Sequence, residues 1–504
     1  MRSRVVAMAL FVVALAAFAD AQDSAPVPAA PADARPVAEL LKELRDGDVA
    51  ARRRAVFALW NRGPSMHDGV DVLGAALVDR DDYVADVAAR ALDRLGPASA
   101  PAFDGVEAAL GDGRAKVRAA AAHILWKMGP PSKDAVPSLL PLLKDADADV
   151  RLAVVETLSP MGQYGVENPE DIVRALAAAM NDADPRVRRK AAFALAGFGE
   201  AGEIARDDLI RRLDDPDAEV RAYAANALWV MGRSARKGLG RLYALLDDPS
   251  QMVRGRALGA VASIDPKDAR LAPSIIAAAK DADGGVRLAA TGMLYLAGPS
   301  AVPALIAALR DGDPMVRFEA TKGCRELGPA AARAAPFLAD ALHGNADAMY
   351  ASVVAQALGR VGGPDAADAV PELRRIMARP GNASLRSECA LAVWRLDPAR
   401  VDEVLRVMTS LLGEPLTAYY AANTLGEMGA AAAPAVPHVI LVLDAELDDV
   451  RMGAAVALGR IGAAAAPAVS RLETIARDDP SERVRPKATE ALAKIRAASP
   501  KEQP

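Results

Sequence analysis

Aromatic residues, histidine and cysteine are all scarce in this chain. Of its 504 residues only 4% are aromatic, four are histidine and two are cysteine. A globular protein of this length would divide into several domains, each with its own core. The low aromatic content instead favours thin, alanine-rich helical layers that pack only against their neighbours.

The four histidines, His67, His123, His343 and His438, lie far apart in the sequence. None is followed by a second histidine four residues later or directly by a glutamate, as helical metal sites require. No glycine-rich phosphate loop follows a strand, and no serine or threonine has a general base in register. The sequence therefore predicts no catalytic residue, no metal site and no cofactor, hence a protein that is not an enzyme.

The formal charge is slightly negative. Lys and Arg number 61 and Asp and Glu number 66, which gives −5. Loss of residues 1–21, which carry Arg2, Arg4 and Asp20, changes the net charge to −6. Binding to nucleic acid relies on clustered basic side chains, so no nucleic-acid partner is expected.

One pattern recurs along almost the whole chain. An Asp-rich turn at Asp311 is followed by the pair Val316-Arg317, an apolar helical stripe and then Gly328. With Val316 as position zero, the equivalent positions are Ala51, Val84, Val117, Val150, Val187, Val220, Val253, Val286, Val316, Tyr350, Leu385, Thr417, Val450 and Val484. Seven of the thirteen spacings are 33 residues, and the largest departures are 37 after Val150 and 30 after Val286. A period near 33 is the size of a two-helix solenoid unit.

Each copy contains an amphipathic helix with apolar positions 0, +4, +7, +8 and +11 on one side. In the thirteenth copy these are Val450, Ala454, Ala457, Leu458 and Ile461. Position +12 is usually glycine, which suits a left-handed stop at the end of a helix. A shorter amphipathic helix comes first, so each copy is predicted to be a helical hairpin.

The run from Val450-Arg451 to Ile461-Gly462 resembles HEAT repeats, particularly the short form also seen in phycobilisome lyase-type proteins. The resemblance implies an all-α fold, an α-α superhelix (right-handed α-solenoid) of about 14 hairpins over residues 37–496. It also implies a structural ladder, in which Arg at +1 bonds carbonyls and the Asp at −5 of its own and the adjacent repeat. Copies ten to thirteen have lost this Asp and carry Asn345, Pro380, Leu412 and Ala445. Less regular stacking is expected there.

The two ends of the chain differ from the repeats. Residues 1–21 are predicted to be a signal peptide, with Arg2 and Arg4 before an apolar run and Ala-Asp-Ala at the cleavage site. Export to a periplasm or the medium is expected. The apolar run is shorter than the about 20 residues of a membrane span, so no integral membrane segment is expected after cleavage; an uncleaved anchor is the alternative. Residues 22–36 are predicted to be an Ala/Pro-rich disordered linker, and 497–504 a disordered tail.

The two cysteines fall at core-facing positions of different copies. Cys324 is at +8 and Cys389 at +4, where other copies carry Leu and Ala. Two layers of about 10 Å separate them by roughly 20 Å, whereas the Cα atoms of a disulfide lie within about 7 Å. Both are therefore expected to be small buried hydrophobic residues.

All four tryptophans share one repeat position, +9, about 150° from the apolar stripe. In HEAT solenoids the second helices line the concave side, so the resemblance places these rings in a groove, with neighbours at +2 and +6. The predicted binding residues are Phe57, Trp60, His123, Trp126, Phe193, Trp229, Tyr295, Phe318, Trp394 and Tyr419. Phe57, Trp60, His123 and Trp126 form the predicted main anchor. The alternative is that the tryptophans only fill space between successive second helices.

The predicted function is an exported, non-catalytic scaffold that binds a protein or peptide along its concave surface. Aromatic patches facing solvent usually mark binding surfaces. Two alternatives remain open. One is an enzyme-associated or lyase-like subunit, suggested by repeat similarity alone; the other is a binder of polysaccharide or cell envelope, in which aromatic rings stack on sugars.

Overall fold

A computed structural model describes residues 35–63, 68–343, 347–415 and 417–498. Within these ranges the chain is helical and contains no strand. The predicted signal peptide and residues 22–34 of the predicted linker lie outside the described residues, as do residues 499–504. The last helix runs to Ala498, so the first two residues of the predicted tail are helical.

The described helices form fourteen hairpins, numbered here as repeats 1 to 14. The first helices are Val37–Asp46, Val70–Ala76, Phe103–Ala109, Val136–Leu139, Pro169–Ala179, Arg206–Arg212, Leu239–Ala244, Leu271–Ala278, Val302–Ala308, Ala335–His343, Val370–Ala378 (after a short helix, Pro364–Ala367), Val401–Leu412, Val436–Val442 and Val469–Asp478. The second helices are Val49–Arg62, Asp82–Leu95, Ala115–Met128, Ala148–Leu158, Pro185–Leu195, Ala218–Met231, Gln251–Ile264, Gly284–Thr291, Pro314–Leu327, Ala348–Val361, Ala383–Leu396, Ala418–Met428, Asp448–Ile461 and Val484–Ala498. The predicted all-α solenoid of helical hairpins is confirmed.

The apolar stripe of each second helix forms the core. In repeat 2 the residues at 0, +4, +7, +8 and +11, namely Val84, Ala88, Ala91, Leu92 and Leu95, are all buried. Each fully buried Val or Leu stabilises the fold by about 1.5–3 kcal/mol relative to an exposed one. Because the small alanines let helices approach closely, the core extends along the repeats as thin layers.

Aspartate side chains cap the N-termini of seven of the second helices. In repeat 2, Asp81 Oδ1 accepts a hydrogen bond from the Val84 amide at 3.2 Å, and Asp79 Oδ1 accepts from the Asp81 amide at 2.8 Å. The first amides of a helix have no carbonyl partner within it. The two carboxylates therefore satisfy groups that the helix leaves open.

Glycines at +12 end the second helices and lead into 3-10 turns. Gly96 has φ 56° and ψ −125°, and Gly232 has φ 56° and ψ −130°. The positive φ agrees with the predicted helix stop, but the ψ values are far from those of a left-handed helix. The 3-10 segments that follow or contain position +12 are Gly96–Ala102, Pro130–Ala135, Ser159–Gln163, Ala196–Ala205, Gly232–Gly238, Leu294–Ala301, Gly328–Ala334, Gly429–Ala435 and Gly462–Ala468. Two others, Leu140–Lys144 and Leu245–Asp247, follow first helices, and Pro398–Arg400 follows Asp397.

The Asp–Arg ladder implied by the HEAT resemblance is present. Seven arginines at +1 each hold the −5 aspartate of the next repeat through Nε and Nη atoms; these pairs are Arg52–Asp79, Arg118–Asp145, Arg188–Asp215, Arg221–Asp248, Arg254–Asp281, Arg287–Asp311 and Arg451–Asp479. Repeat 2 carries Ala85 at +1. There Arg114 of repeat 3 binds Asp112 and also donates to the Asp79 carbonyl at 2.8 Å.

The chain divides into two compact units, Met1–Val166 and Glu167–Pro504. The first contains repeats 1 to 4, and the second contains repeats 5 to 14. The boundary falls in the segment that makes the spacing after Val150 longer than 33 residues. Within each unit, successive second helices pack on one another, as Ala218–Met231 does on Gln251–Ile264.

Two described stretches are long and apolar enough to cross a membrane by length and composition alone, Ala418–Val442 and Asp448–Asp478; a bent pair, Gly284–Thr291 with Leu294–Ala308, would be a third. Each of the first two joins a second helix to the following first helix. Gly429 and Gly462, with φ of 57° and 78°, stand at those joints. The absence of an integral membrane segment after cleavage stays a prediction.

Candidate binding face on the second helices

Nine of the ten predicted binding residues lie on second helices. The exception is Tyr295, because the second helix of repeat 8 ends at Thr291 and Tyr295 falls in the following 3-10 segment, Leu294–Ala301. This is the repeat whose spacing to the next is only 30 residues. Because Gly298 still stands at +12 in this repeat, the three missing residues lie after it and do not explain why the α-helix ends early.

None of the ten side chains is fully buried. Trp126 is 40% exposed, Phe193 48%, Tyr295 41% and Tyr419 37%. The remaining six, listed in chain order, are half-buried: Phe57, Trp60, His123, Trp229, Phe318 and Trp394. The rings therefore pack partly against the helices and keep part of their surface open to solvent.

The four residues of the predicted main anchor form two pairs rather than one cluster. Phe57 and Trp60 have ring centroids 5.6 Å apart in repeat 1, and His123 and Trp126 have theirs 5.3 Å apart in repeat 3. Both distances lie in the range of favourable tilted contacts. Repeat 2, which lies between them, contributes Asp93, whose Oδ1 is 3.1 Å from His123 Nε2.

Three further tyrosines extend the aromatic set, and the sequence interpretation missed them. Phe193 contacts Tyr223 of the next repeat at 5.5 Å, Phe318 contacts Tyr350 of the next repeat at 6.4 Å, and Tyr419 contacts Tyr420 at 5.6 Å. Tyr223 and Tyr420 stand at +3 and Tyr350 at position zero. A search limited to +2, +6 and +9 could not find them, whereas a search for ring contacts between adjacent repeats would have found Tyr223 and Tyr350.

Lysines flank several of these rings. Lys127 Nζ lies 4.9 Å from the Trp126 ring centroid, and Lys322 Nζ lies 5.8 Å from that of Phe318. Ammonium groups within about 6 Å of a ring face are attracted to it by about 0.5–1 kcal/mol at exposed sites. The flanking lysines thus help to fix rings that remain partly in water.

A chain of polar contacts crosses the second helices where the Asp ladder is missing. Arg325 Nη1 donates to Gln356 Oε1 at 2.7 Å, between repeats 9 and 10. Arg460 Nη1 and Arg395 Nη2 donate to Glu427 at 2.8 Å and 3.4 Å, which connects repeats 11, 12 and 13. The repeats that lack the −5 aspartate are therefore joined by polar contacts at another position.

Over the described ranges, no group of three or more His, Cys, Asp or Glu side chains is placed to hold a metal ion. His67 lies outside these ranges. Cys324 and Cys389 are buried and unpaired, and burial raises the pKa of each thiol to about 12. Such thiols are poor nucleophiles. The absence of catalytic residues stays a prediction.

Solved structures with the same fold include Kap95p, importin beta and Kap121p, all of low sequence identity to this chain. A structure of Kap95p binding RanGDP aligns over 92% of this chain and 72% of its own, with 13% identity and a TM-score of 0.59. Importin beta aligns over 91% and 73%, with 14% identity and a TM-score of 0.58. Kap121p bound to Nup53p aligns over 92% of this chain, with 13% identity and a TM-score of 0.54, and the chain spans only 61% of Kap121p.

Sequence comparison identifies the family. No curated protein matches the chain. A family profile described as "HEAT repeats" matches residues 103–196, 161–229, 206–294, 272–359, 302–394 and 405–493, which together make up well over half of the chain. The chain therefore belongs to the HEAT-repeat family.

Proposed function

We propose that this protein is an exported, non-catalytic scaffold that binds a protein or peptide partner along the face formed by its second helices. The observation that carries the proposal is the incomplete burial of the aromatic side chains at shared repeat positions on this face. An aromatic ring that only filled space between successive second helices would be fully buried. Partly open tryptophan and tyrosine rings are the residues that most often anchor protein interfaces.

The type of partner is supported by the fold. Kap95p and Kap121p are similar HEAT-containing structures that hold other proteins, RanGDP and Nup53p. Repeated helical hairpins offer a long surface whose contacts are distributed over many layers. Export is supported by the sequence of residues 1–21 alone, so it has to be tested separately from binding.

The experiment is crosslinking in the native envelope fraction, followed by identification of the partner and measurement of its affinity for the purified protein. The test variant is Trp60→Ala/Trp126→Ala. The control is Val78→Ala/Ile204→Ala, which removes two apolar side chains that are 44% and 45% exposed but lie off the second helices. Loss of one interface anchor costs about 2 kcal/mol or more, or about thirtyfold in Kd.

The test variant should lose the partner while the control keeps it, with both retaining the helical circular dichroism of the wild type. Equal affinity of the test variant and the wild type would refute the assignment of the face. Recovery of polysaccharide in place of a protein would favour the envelope-binding alternative. Export is checked by the N-terminus of the mature protein, which should be Gln22; an intact Met1 would contradict cleavage.

A further inference from the structure

A cleft of about 260 Å³, lined mostly by residues with a polar group, lies between the second helices of repeats 11 and 12. Its lining includes Ser384, Ser387, Glu388, Tyr419, Tyr420 and Asn423. Clefts that hold whole drug-sized ligands usually measure about 300–1,000 Å³. This one is smaller, so it matches a single side chain better than a complete small molecule.

Ser387, at position +2 of repeat 11, lines the cleft with an unused hydroxyl. The residue is only 3% exposed, and its Oγ has no hydrogen-bond partner in the described part of the chain. Ser352, at the same position in repeat 10, donates to the Ala348 carbonyl of its own helix at 2.9 Å. A buried hydroxyl left without a partner costs about 1–3 kcal/mol. A ligand in the cleft would supply the missing partner.

Glu388 gives the cleft an incompletely neutralised negative charge. Gln356 hydrogen-bonds to it, while Arg395 and Arg325 are near enough to act on it electrostatically and Glu427 repels it. Burial is the largest influence and raises the pKa of the Glu388 carboxyl. Arg395 also donates to Glu427, so its positive charge is shared. None of the residues that line the cleft is basic.

Two tyrosine rings form the opposite wall. Tyr419 and Tyr420 are 37% and 41% exposed, and their rings meet edge to face at 5.6 Å. The faces of such rings attract cations. A guanidinium group suits this combination because it is planar, stacks on aromatic rings and has five N–H donors. Here the acceptors would be the Glu388 carboxylate, Ser387 Oγ and the Asn423 side-chain oxygen.

We propose that this cleft binds one arginine side chain of the partner protein. The inference rests on the proposed function, since it identifies a chemical feature of the partner. A cation offsets the cost of keeping the Glu388 carboxylate partly out of water. A neutral group such as a sugar hydroxyl would leave that charge uncompensated, so the charge of the cleft favours arginine over a saccharide.

The test uses the purified full-length mature protein and two small probes, N-acetyl-arginine methylamide and N-acetyl-citrulline methylamide. Citrulline has nearly the shape of arginine without its charge. Ligand-detected NMR should show the arginine probe binding about tenfold more tightly than citrulline, a difference of about 1.4 kcal/mol. Glu388→Gln should remove most of this preference, Ser387→Ala should weaken the binding of both probes, and Glu403→Gln should do neither. Glu403 is a matched control because it lies in the first helix of repeat 12, outside the cleft, and pairs with Arg374 in the first helix of repeat 11.

Binding should also depend on pH in one direction. Protonation of Glu388 removes the charge, so the preference for arginine should fall as the pH is lowered through the raised pKa of this carboxyl. Glu388→Gln should show no such pH dependence. Ser387→Ala should unfold at the same or a higher temperature than the wild type, because it deletes an unsatisfied hydroxyl; loss of probe binding in this variant is then not a folding defect.

Equal binding of the two probes by the wild type would overturn the proposal, as would arginine binding that Glu388→Gln leaves intact. Preferential binding of N-acetylglucosamine over the arginine probe would also overturn it. The probe-binding results can be distinguished from the results of the partner-binding experiment on the second-helix face. If Trp60→Ala/Trp126→Ala loses the partner while the probes bind equally, only the cleft assignment fails. If the arginine probe binds as expected while the tryptophan variant keeps the partner, only the aromatic anchor fails.

Discussion

Arg451 and Asp479 join repeats 13 and 14 through two parallel hydrogen bonds, Nε to Oδ2 at 2.8 Å and Nη2 to Oδ1 at 3.0 Å. The same guanidinium donates through Nη1 to the carbonyls of Ala445 and Glu446 at 2.9 Å and 2.8 Å. The two side chains are 11% and 3% exposed. One arginine thus connects the turn of its own repeat to the turn of the next in a nearly water-free position.

Replacing Arg451 with alanine should loosen repeat 14. Removing one member of a fully buried ion pair costs about 3–5 kcal/mol, and the residual exposure here reduces the expected loss to about 2 kcal/mol. Because stability in a solenoid depends on contacts between neighbouring repeats, the loss should be local. Hydrogen exchange should accelerate in Val469–Asp478 and Val484–Ala498 and remain unchanged in repeats 1 to 4. The exposed pair Arg477–Asp478 provides the control, since Arg477→Ala should have no measurable effect.

Acid should weaken the solenoid through the ladder aspartates. Hydrogen bonds from Arg254, Arg287 and Arg451 lower the pKa of Asp281, Asp311 and Asp479 respectively. A carboxyl whose pKa is lower in the folded state stabilises the fold above its unfolded pKa of about 3.9. That contribution is lost as the pH falls from there through the folded pKa. The melting temperature should therefore drop between pH 5 and pH 2, and Asp281→Asn should show a smaller drop. A melting temperature that rises on acidification would contradict the role of the ladder.

The repeating part of the fold was predictable from the sequence because every repeat buries its apolar residues at the same positions of its second helix. Val84, Ala88 and Leu92 bury one stripe in repeat 2, and the same spacing in other copies locates their helices. The ladder was implied by the resemblance to HEAT repeats, and the regular Asp and Arg positions located its members. A periodic pattern predicts the structure that all repeats share. Where one repeat departs from the pattern, the sequence shows that its structure differs but does not show how its side chains are placed.

The cleft illustrates this limit. Glu388 and Ser387 stand at +3 and +2 of a copy that has Pro380 in place of the ladder aspartate. The sequence indicated that this region is irregular, but not that Ser387 would lose the helix bond that Ser352 makes. Neither the placement of Tyr419 and Tyr420 opposite Glu388 nor the contact of Arg395 with Glu427 follows from one copy alone. They depend on how two adjacent helices are placed.

The glycine at +12 should contribute to stability because it adopts a backbone conformation that other residues adopt only with strain. Gly96, with φ 56° and ψ −125°, has no atom within 4 Å of an added Cβ, so an alanine there would meet strain rather than a clash. Such φ/ψ values cost a non-glycine residue about 1–3 kcal/mol. Gly96→Ala should lower the midpoint of urea unfolding accordingly. In Gly240→Ala, where the added Cβ also has open space but lies within the helix Leu239–Ala244, stability should rise by up to about 1 kcal/mol. Equal effects would show that backbone strain does not matter.

Both thiols should be inert in the folded protein. Burial raises the pKa of Cys324 and Cys389 to about 12, so at pH 8 only about one thiol in ten thousand would be a thiolate. Titration with Ellman's reagent should find almost no reactive thiol in the native protein and two after denaturation in urea. Two thiols that react at once in buffer would show that these helices open readily. No reaction even in urea would reveal a disulfide, contrary to the unpaired state in the structure.

The tryptophans should differ in how far water reaches them. Trp126 is 40% exposed, while Trp60, Trp229 and Trp394 are half-buried. Four variants, each retaining one tryptophan with the others changed to Phe, separate their signals. The variant that retains Trp126 should emit at the longest wavelength and be quenched most strongly by acrylamide, and addition of the binding partner should protect it. Blue, unquenched emission from all four would mean that the rings only fill space between second helices, and the proposed binding face would lose its support.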